Sequence, residues 1–184
     1  MKIITTPLEG LLIIEPDVFE DQRGYFFESY NQKKYTLQGI NYHFVQDNQS
    51  ESSFGTIRGL HFQMEPKAQT KLVRVLTGSV FDVAVDVRKG SPTYGKWFGM
   101  KISGDNKKQL LIPKGFAHGF SVLSEKAVVF YKCDEFYSPE HDSGIRFDDP
   151  ALNIDWRIAP EKYIISEKDK KLTFLKDTRN NFTF

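Results

Sequence analysis

The sequence predicts a mainly β protein, a jelly-roll-like sandwich or barrel with a few short helices. Three observations carry that expectation. Short apolar runs alternate with Gly, Pro and Asn turns from end to end of the 184 residues, as in sandwiches and barrels. Phe is frequent, at 16 residues against 3 Met, and such aromatic, β-branched composition fits a sheet core better than a helical bundle. Ser79–Val87 alternates with period two, placing Phe81, Val83, Val85 and Val87 on one face and Asp82, Ala84 and Asp86 on the other. A strand with carboxylates on one side is either half solvated or lines a polar cavity, and alternation alone leaves both open.

The elements follow in order. Leu11–Glu15, Gly24–Tyr30, Thr56–Gln63, Lys71–Leu76, Ser79–Val87, Lys101–Ser103, Gln109–Ile112, Gly119–Leu123 and Ala127–Cys133 read as strands. Asn31–Gln38 reads as one short helix. Ser166-Glu167-Lys168-Asp169 has the form of a capping box that opens a short helix or turn. From Asp177 to Phe184 the tail reads as irregular. With no internal repeat and no low-complexity linker, residues 1–184 are expected to form one domain.

Composition narrows the function classes. A net charge of +1 argues against a broad nucleic-acid-binding face while leaving room for a local phosphate site. The single cysteine, Cys133, has no internal disulfide partner and reads as a small buried strand residue. Met1–Gly10 lacks the long apolar stretch of a signal peptide, and no run approaches membrane-span length. A cytoplasmic protein without membrane contact is therefore expected.

Two histidine segments carry the chemistry. His61 lies in Arg58-Gly59-Leu60-His61-Phe62-Gln63, and His118 in Pro113-Lys114-Gly115-Phe116-Ala117-His118-Gly119. They resemble the two signature motifs of the cupin superfamily. In metal cupins the first motif holds a glycine, five residues, His-x-His and a later Glu, and the second holds Pro-x-Gly-x-x-His. Gly55 precedes His61 by the right interval, and Pro113, Gly115 and His118 match the second motif. Gln63 replaces the second histidine, and Ala68, Gln69 and Thr70 stand where the Glu belongs. Divalent first-row metals need several converging ligands, and two histidines without a carboxylate make a poor site. The cavity is expected to be kept, without metal or other cofactor.

A cavity with histidine and no metal can still move protons, since imidazole titrates near pH ~6.5. Abstraction from carbon requires a neighbouring carbonyl, whose enolate oxygen needs a fixed cation or donor. Lys71, heading Lys71-Leu72-Val73-Arg74-Val75, is a candidate, or else a snorkelling edge residue. Inversion needs a proton donor on the opposite face. Tyr131 shares a strand face with Val129 and Cys133, so it is either that donor or a core tyrosine whose hydroxyl must find a partner.

The chain as a whole resembles the dTDP-4-dehydrorhamnose 3,5-epimerase family from Leu11 to about Asp169. The likeness is carried by Asp21-Gln22-Arg23-Gly24-Tyr25-Phe26-Phe27-Glu28, Val45-Gln46-Asp47-Asn48-Gln49-Ser50, Gly55 through Gln63, and Ala68 through Val75. Gly78 through Val87, Ser91-Pro92-Thr93-Tyr94-Gly95-Lys96-Trp97 and Ile112 through Leu123 complete it. So many ordered blocks in one short chain are a specific signal.

The resemblance implies a cupin-type jelly roll, a homodimer with strand exchange, no cofactor, and a dTDP-4-keto-6-deoxy sugar as substrate. It implies that His61 removes the protons at C3 and C5, which flank the C4 ketone, with Asp169 orienting its imidazole. Tyr131 would be the opposing acid and Lys71 the enolate stabiliser. Arg23, Glu28, Gln46, Asp47, Asn48, Arg58, His118 and Lys168 fall where the family binds the nucleotide sugar. Tyr137 falls where a ring stacks on the thymine, and Asp142 replaces the usual Glu with a shorter carboxylate. The residue types suit the ligand, because a diphosphate favours Arg and Lys.

Two points stay open in the sequence. Arg58 and His61 are three apart and fall on opposite faces of a regular strand, so either the strand bulges or Arg58 serves elsewhere, across a dimer for example. Asp169 either pairs with His61 or only completes the capping box. The rival functions are an epimerase acting at C3 or C5 alone, a non-catalytic sugar-nucleotide-binding cupin, and a metal cupin oxygenase, which Gln63 disfavours.

Overall fold

The computed structural model describes residues 1–184. In chain order its main elements are β1 (Lys2–Thr5), β2 (Leu12–Glu15), β3 (Phe19–Asp21), β4 (Gly24–Phe26), α1 (Gln32–Leu37), β5 (Gln46–Ser53) and β6 (Thr56–Gln63). These are followed by β7 (Lys71–Thr77), β8 (Ser79–Asp86), β9 (Trp97–Ser103), β10 (Gln109–Ile112), β11 (Phe116–Val122) and β12 (Lys126–Cys133). The last are β13 (Asp142–Gly144), β14 (Ile164–Ile165) and α2 (Glu167–Lys170). Short 3-10 turns occupy Pro139–His141, Pro160–Lys162 and Leu175–Asp177.

Two sheets make the sandwich. One runs β1-β2-β10-β7-β12-β5; the other runs β13-β6-β11-β8-β9, with β14 parallel to β6. Alternation on each strand sends one set of side chains into the space between the sheets. Val73, Val75, Val80, Ala84, Leu110, Phe116, Phe120 and Val129 meet there in one buried cluster. The outward face of the second sheet is apolar too. Phe62, Phe81, Val83, Val85 and Ala117 pack beneath Trp156, Leu175 and Phe182 of the C-terminal region. On the first sheet, Ile14, Leu72 and Leu111 are covered by Tyr35 of α1 and by Ile40. Burial contributes about 1.5–3 kcal/mol for each such side chain relative to exposure.

The carboxylate face of β8 belongs to the interior. Asp82 and Asp86 are both fully buried. Asp86 is satisfied by Arg88 Nη2 at 2.8 Å and by the hydroxyls of Ser91 and Thr93, each at 2.6 Å.

The expected strands are found, with differences that have local causes. The strand expected over Gly24–Tyr30 stops at Phe26, because β4 pairs only with β3 in an isolated hairpin. The tail expected to be irregular from Asp177 is docked. Lys89 N–H donates to Phe182 O at 3.1 Å, Phe184 N–H donates to Lys89 O at 3.0 Å, and Phe182 is buried. Two phenylalanines at the very end of a polar tail, Phe182 and Phe184, are too few to give a periodicity to read. The expected helix is present as α1, with Asn31 Oδ1 accepting from Lys34 N–H. No helix is long and apolar enough to cross a membrane.

Candidate active site

A bulge in β6 builds the site. Opposite β11, His118 pairs with His61 and Phe120 with Arg58. Two steps on β11 therefore match three on β6, and the extra residue returns Arg58 and His61 to the same side. Gly59 makes this possible. Its φ is +118°, and a Cβ there would stand 2.5 Å from Gly119 Cα and 2.7 Å from His118 O. Gly59→Ala is expected to destabilise the fold by about 2–4 kcal/mol through the left-handed backbone and the backbone overlap. Urea denaturation would measure this loss, together with reduced activity.

Between the sheets the bulge opens into a cavity of about 300 Å³ lined by Ser50, Arg58, His61, Lys71, His118, Gly119, Phe120, Tyr131, Ser166, Lys168 and Asp169. His61 Nε2 lies 2.8 Å from Asp169 Oδ1. The second oxygen, Oδ2, accepts the Gly59 N–H at 3.3 Å, so one carboxylate holds both the imidazole and the bulge. Asp169 owes its place to α2, where Ser166 Oγ accepts the Asp169 backbone N–H at 3.1 Å. The cap uses the backbone and leaves the side chain free for His61. Burial opposes ionisation of Asp169, but the His61 hydrogen bond and charge, helped by Gly59 and Ser166, hold its carboxyl below its ordinary value. An ionised carboxylate only accepts, so Nε2 donates and Nδ1 of His61 carries the basic lone pair.

Lys71 is buried, with Nζ 3.4 Å from His61 O and 5.9 Å from the Tyr131 ring centroid. Burial pushes its pKa down, against the pull of Cys133, Asp142 and Asp82. Tyr131 is pushed up, chiefly by burial, which keeps its hydroxyl protonated. His118 is buried, and its Nε2 meets both oxygens of the fully buried Asp82 at 3.1 and 3.0 Å. Across from β6, Asn48 pairs with Tyr131 on β12. At the cavity mouth Lys168 Nζ donates to Asp142 Oδ2 at 2.6 Å, and the Tyr137 hydroxyl donates to the same oxygen at 3.4 Å. Titratable groups held apart in protonation state around one cavity suit proton abstraction and return.

The model of the dTDP-4-dehydrorhamnose 3,5-epimerase family matches residues 5–177. The chain belongs to this family. Its similarity to the dTDP-4-dehydrorhamnose 3,5-epimerase of Methanothermobacter thermautotrophicus is 53% identity over 92% of this chain and 91% of that protein. The crystal structure of the Elizabethkingia anophelis dTDP-4-dehydrorhamnose 3,5-epimerase superposes with a TM-score of 0.91 at 55% identity, covering 96% of this chain and 97% of that one. The dTDP-6-deoxy-D-glucose-3,5-epimerase of Legionella pneumophila, solved in complex with dTDP-4-keto-L-rhamnose, has a TM-score of 0.91 at 51% identity, covering 96% and 93%.

Some residues expected at the site of this epimerase family member lie elsewhere in the protomer. Asp47 faces away from the cavity, opposite Gln46 and Asn48, in an ion pair with Lys132 at 2.9 Å. Arg23 sits on the exposed β3–β4 hairpin and bonds to Asp21. Glu28 is held by Lys34 and by Asn31 Nδ2, the latter at 2.8 Å. Gln46 spends its amide on Asn48 Oδ1 at 3.1 Å and on the Tyr137 N–H at 2.9 Å. Others were not anticipated. Ser50 continues the inward face of Gln46 and Asn48, a period-two signal hidden because β5 has no apolar residue. Ser52 Oγ accepts from Arg58 Nε at 3.0 Å. No group of three or more His, Cys, Asp or Glu converges in a metal-holding arrangement.

The depressed pKa of Lys71 has opposite effects on activity and stability. Its charge is lost as pH rises through a value below the ordinary ~10.4 of lysine, and the alkaline limb of the rate profile is expected there. Between the folded and unfolded pKa values the unfolded chain binds more protons at this site, so its contribution to stability rises with pH. Lys71→Arg should move the alkaline limb upward, which rate measurements across pH 7–11 would show (an approximate window set by the reference value).

Proposed function

We propose that the chain converts dTDP-4-dehydro-6-deoxy-D-glucose to dTDP-4-dehydro-L-rhamnose by inverting C3 and C5. Family membership supports the substrate class, and the observation that carries the mechanism is the His61–Asp169 pair facing Lys71 and Tyr131 across one cavity. His61 Nδ1 takes a proton from the carbon beside the C4 ketone. The bonding pair moves into the carbonyl, and Lys71 stabilises the resulting enolate oxygen. Tyr131 delivers a proton to the opposite face, the carbonyl re-forms, His61 releases the abstracted proton to solvent, and the tyrosinate regains a proton from solvent. The cycle is repeated at the second carbon. Arg58, Lys168 and His118 offer positive or donor groups to the diphosphate and sugar. Asn48 adds an amide, and Tyr137 a ring for the thymine.

The remaining binding groups come from a second copy. Phe19, Tyr25 and Phe26 leave more than half of their surface exposed on the β3–β4 hairpin. A homodimer in which this hairpin crosses to the partner would cover them and bring Arg23 and Glu28 to the partner's cavity. Sedimentation should then give twice the 21.3 kDa chain mass. One buried free thiol and no disulfide suit work in the cytoplasm.

The test is turnover in deuterated water. Deuterium should enter product at both C3 and C5. Incorporation at a single carbon would reduce the activity to a mono-epimerase, and incorporation at neither would remove the proton-transfer reading.

A further inference from the structure

We propose that Gln63 is a positioning residue for the nucleotide end of the substrate, acting with Gln46 as a clamp on the Phe136–Ser138 loop. The inference rests on the reading that Tyr137 meets the nucleobase.

The loop makes almost no regular backbone hydrogen bonds of its own. Two side-chain amides supply what is missing at three successive residues. Gln63 Nε2 donates to Phe136 O at 3.1 Å, Gln46 Oε1 accepts the Tyr137 N–H at 2.9 Å, and Gln63 Oε1 accepts the Ser138 N–H at 2.7 Å. The second Nε2 proton of Gln63 goes to Lys67 O at 2.6 Å, tying in the turn after β6. Gln63 is buried, with 3% of its surface exposed, while Tyr137 keeps 54% exposed. A buried anchor thus holds an exposed ring at the cavity mouth. Backbone pairing of Gln63 with Asp142 on β13 reinforces the link, because Asp142 also accepts from the Tyr137 hydroxyl.

Only a primary amide serves both sides of this junction, with two donors for the carbonyls of Lys67 and Phe136 and an acceptor for Ser138. Leucine would fill the space and leave all three unsatisfied. Glutamate would set a carboxylate against two carbonyl oxygens. At the position that metal cupins give to a second histidine, this chain has a side chain that orders a recognition loop.

The experiment is a double-mutant cycle of Gln63→Leu and Tyr137→Ala. It is read by calorimetric binding of dTDP and by kcat and KM for the 4-keto sugar nucleotide, on protein shown to be folded by circular dichroism. Gln63→Leu is expected to raise the dTDP Kd and KM about tenfold while kcat stays within about threefold. In the Tyr137→Ala background the effect of Gln63→Leu should vanish. An undiminished effect in that background, or an equal fall in kcat, would overturn the clamp. If Tyr137→Ala weakens dTDP binding and Gln63→Leu does not, the clamp fails while the nucleobase reading stands. If Tyr137→Ala leaves dTDP binding unchanged, the nucleobase reading fails and takes the clamp with it. Should Gln63→Leu not fold, Gln63→Asn, which draws the amide back by one carbon, runs the same cycle with the same criteria.

Discussion

His61→Asn is expected to lower kcat by about 10²–10⁴, the usual value of a positioned general base, or about 3–5 kcal/mol at 1.36 kcal/mol per tenfold. The asparagine amide ends where Nδ1 stands, short of the Nε2 position that meets Asp169 Oδ1, so that oxygen loses its partner while Oδ2 continues to hold Gly59. Asparagine carries no basic nitrogen. Affinity for dTDP should change little, because the groups proposed to meet the pyrophosphate and the base lie on other residues. Steady-state rates and calorimetric dTDP binding separate the two quantities, and near-normal turnover would remove His61 from the chemistry. Asp169→Asn should also be costly, since it loses the charge facing His61 and disturbs the acceptor of the bulge N–H. Its loss would therefore appear in stability as well as in rate.

Tyr131→Phe gives the second large effect, and its signature is a split. Completed inversion should fall by about 10² or more, while exchange of substrate protons with deuterated water is retained to within about tenfold. Exchange needs only the base and the enolate stabiliser, whereas inversion needs a proton on the other face. Phenylalanine preserves the ring beside Lys71 and the packing against the core around Val129. Proton magnetic resonance of substrate and product in deuterated buffer reads both quantities at once. Equal loss of exchange and inversion would argue against the acid role.

Much of this was legible before any coordinates. Thr56–Gln63 and Gln109–Ile112 have the bounds the sequence predicts, because apolar residues and flanking Gly, Pro or Asn both mark them. His61 and His118 stand out through their resemblance to cupin motifs, Lys71 through its place at the head of an apolar strand and Tyr131 through strand parity, and all four line the cavity. What escaped was whatever parity cannot see. The Arg58–His61 spacing signalled an irregularity without deciding its form; the extra residue at Gly59 settles it. β5 is polar on both faces, so no hydrophobic signal marked it as a strand. The Asp169–His61 pair, 108 residues apart, has no local pattern and is named in the sequence only through the family resemblance. Arg23 and Glu28 were associated with the substrate by resemblance, yet within one protomer they sit on the hairpin and beside α1.

The β6 bulge also bears on how such a cavity changes under insertion and deletion. Period two makes strand pairing a parity device, in which loss of one residue turns everything on one side of the cut to the other face. Because the bulge already carries one residue beyond that count, deleting Gly59 would leave Arg58 and His61 two apart and still on one face, now in a regular strand. The excised N–H is also the one that Asp169 Oδ2 accepts. A single codon thus stands between a base whose carboxylate is anchored to its own strand and one whose carboxylate has lost that anchor.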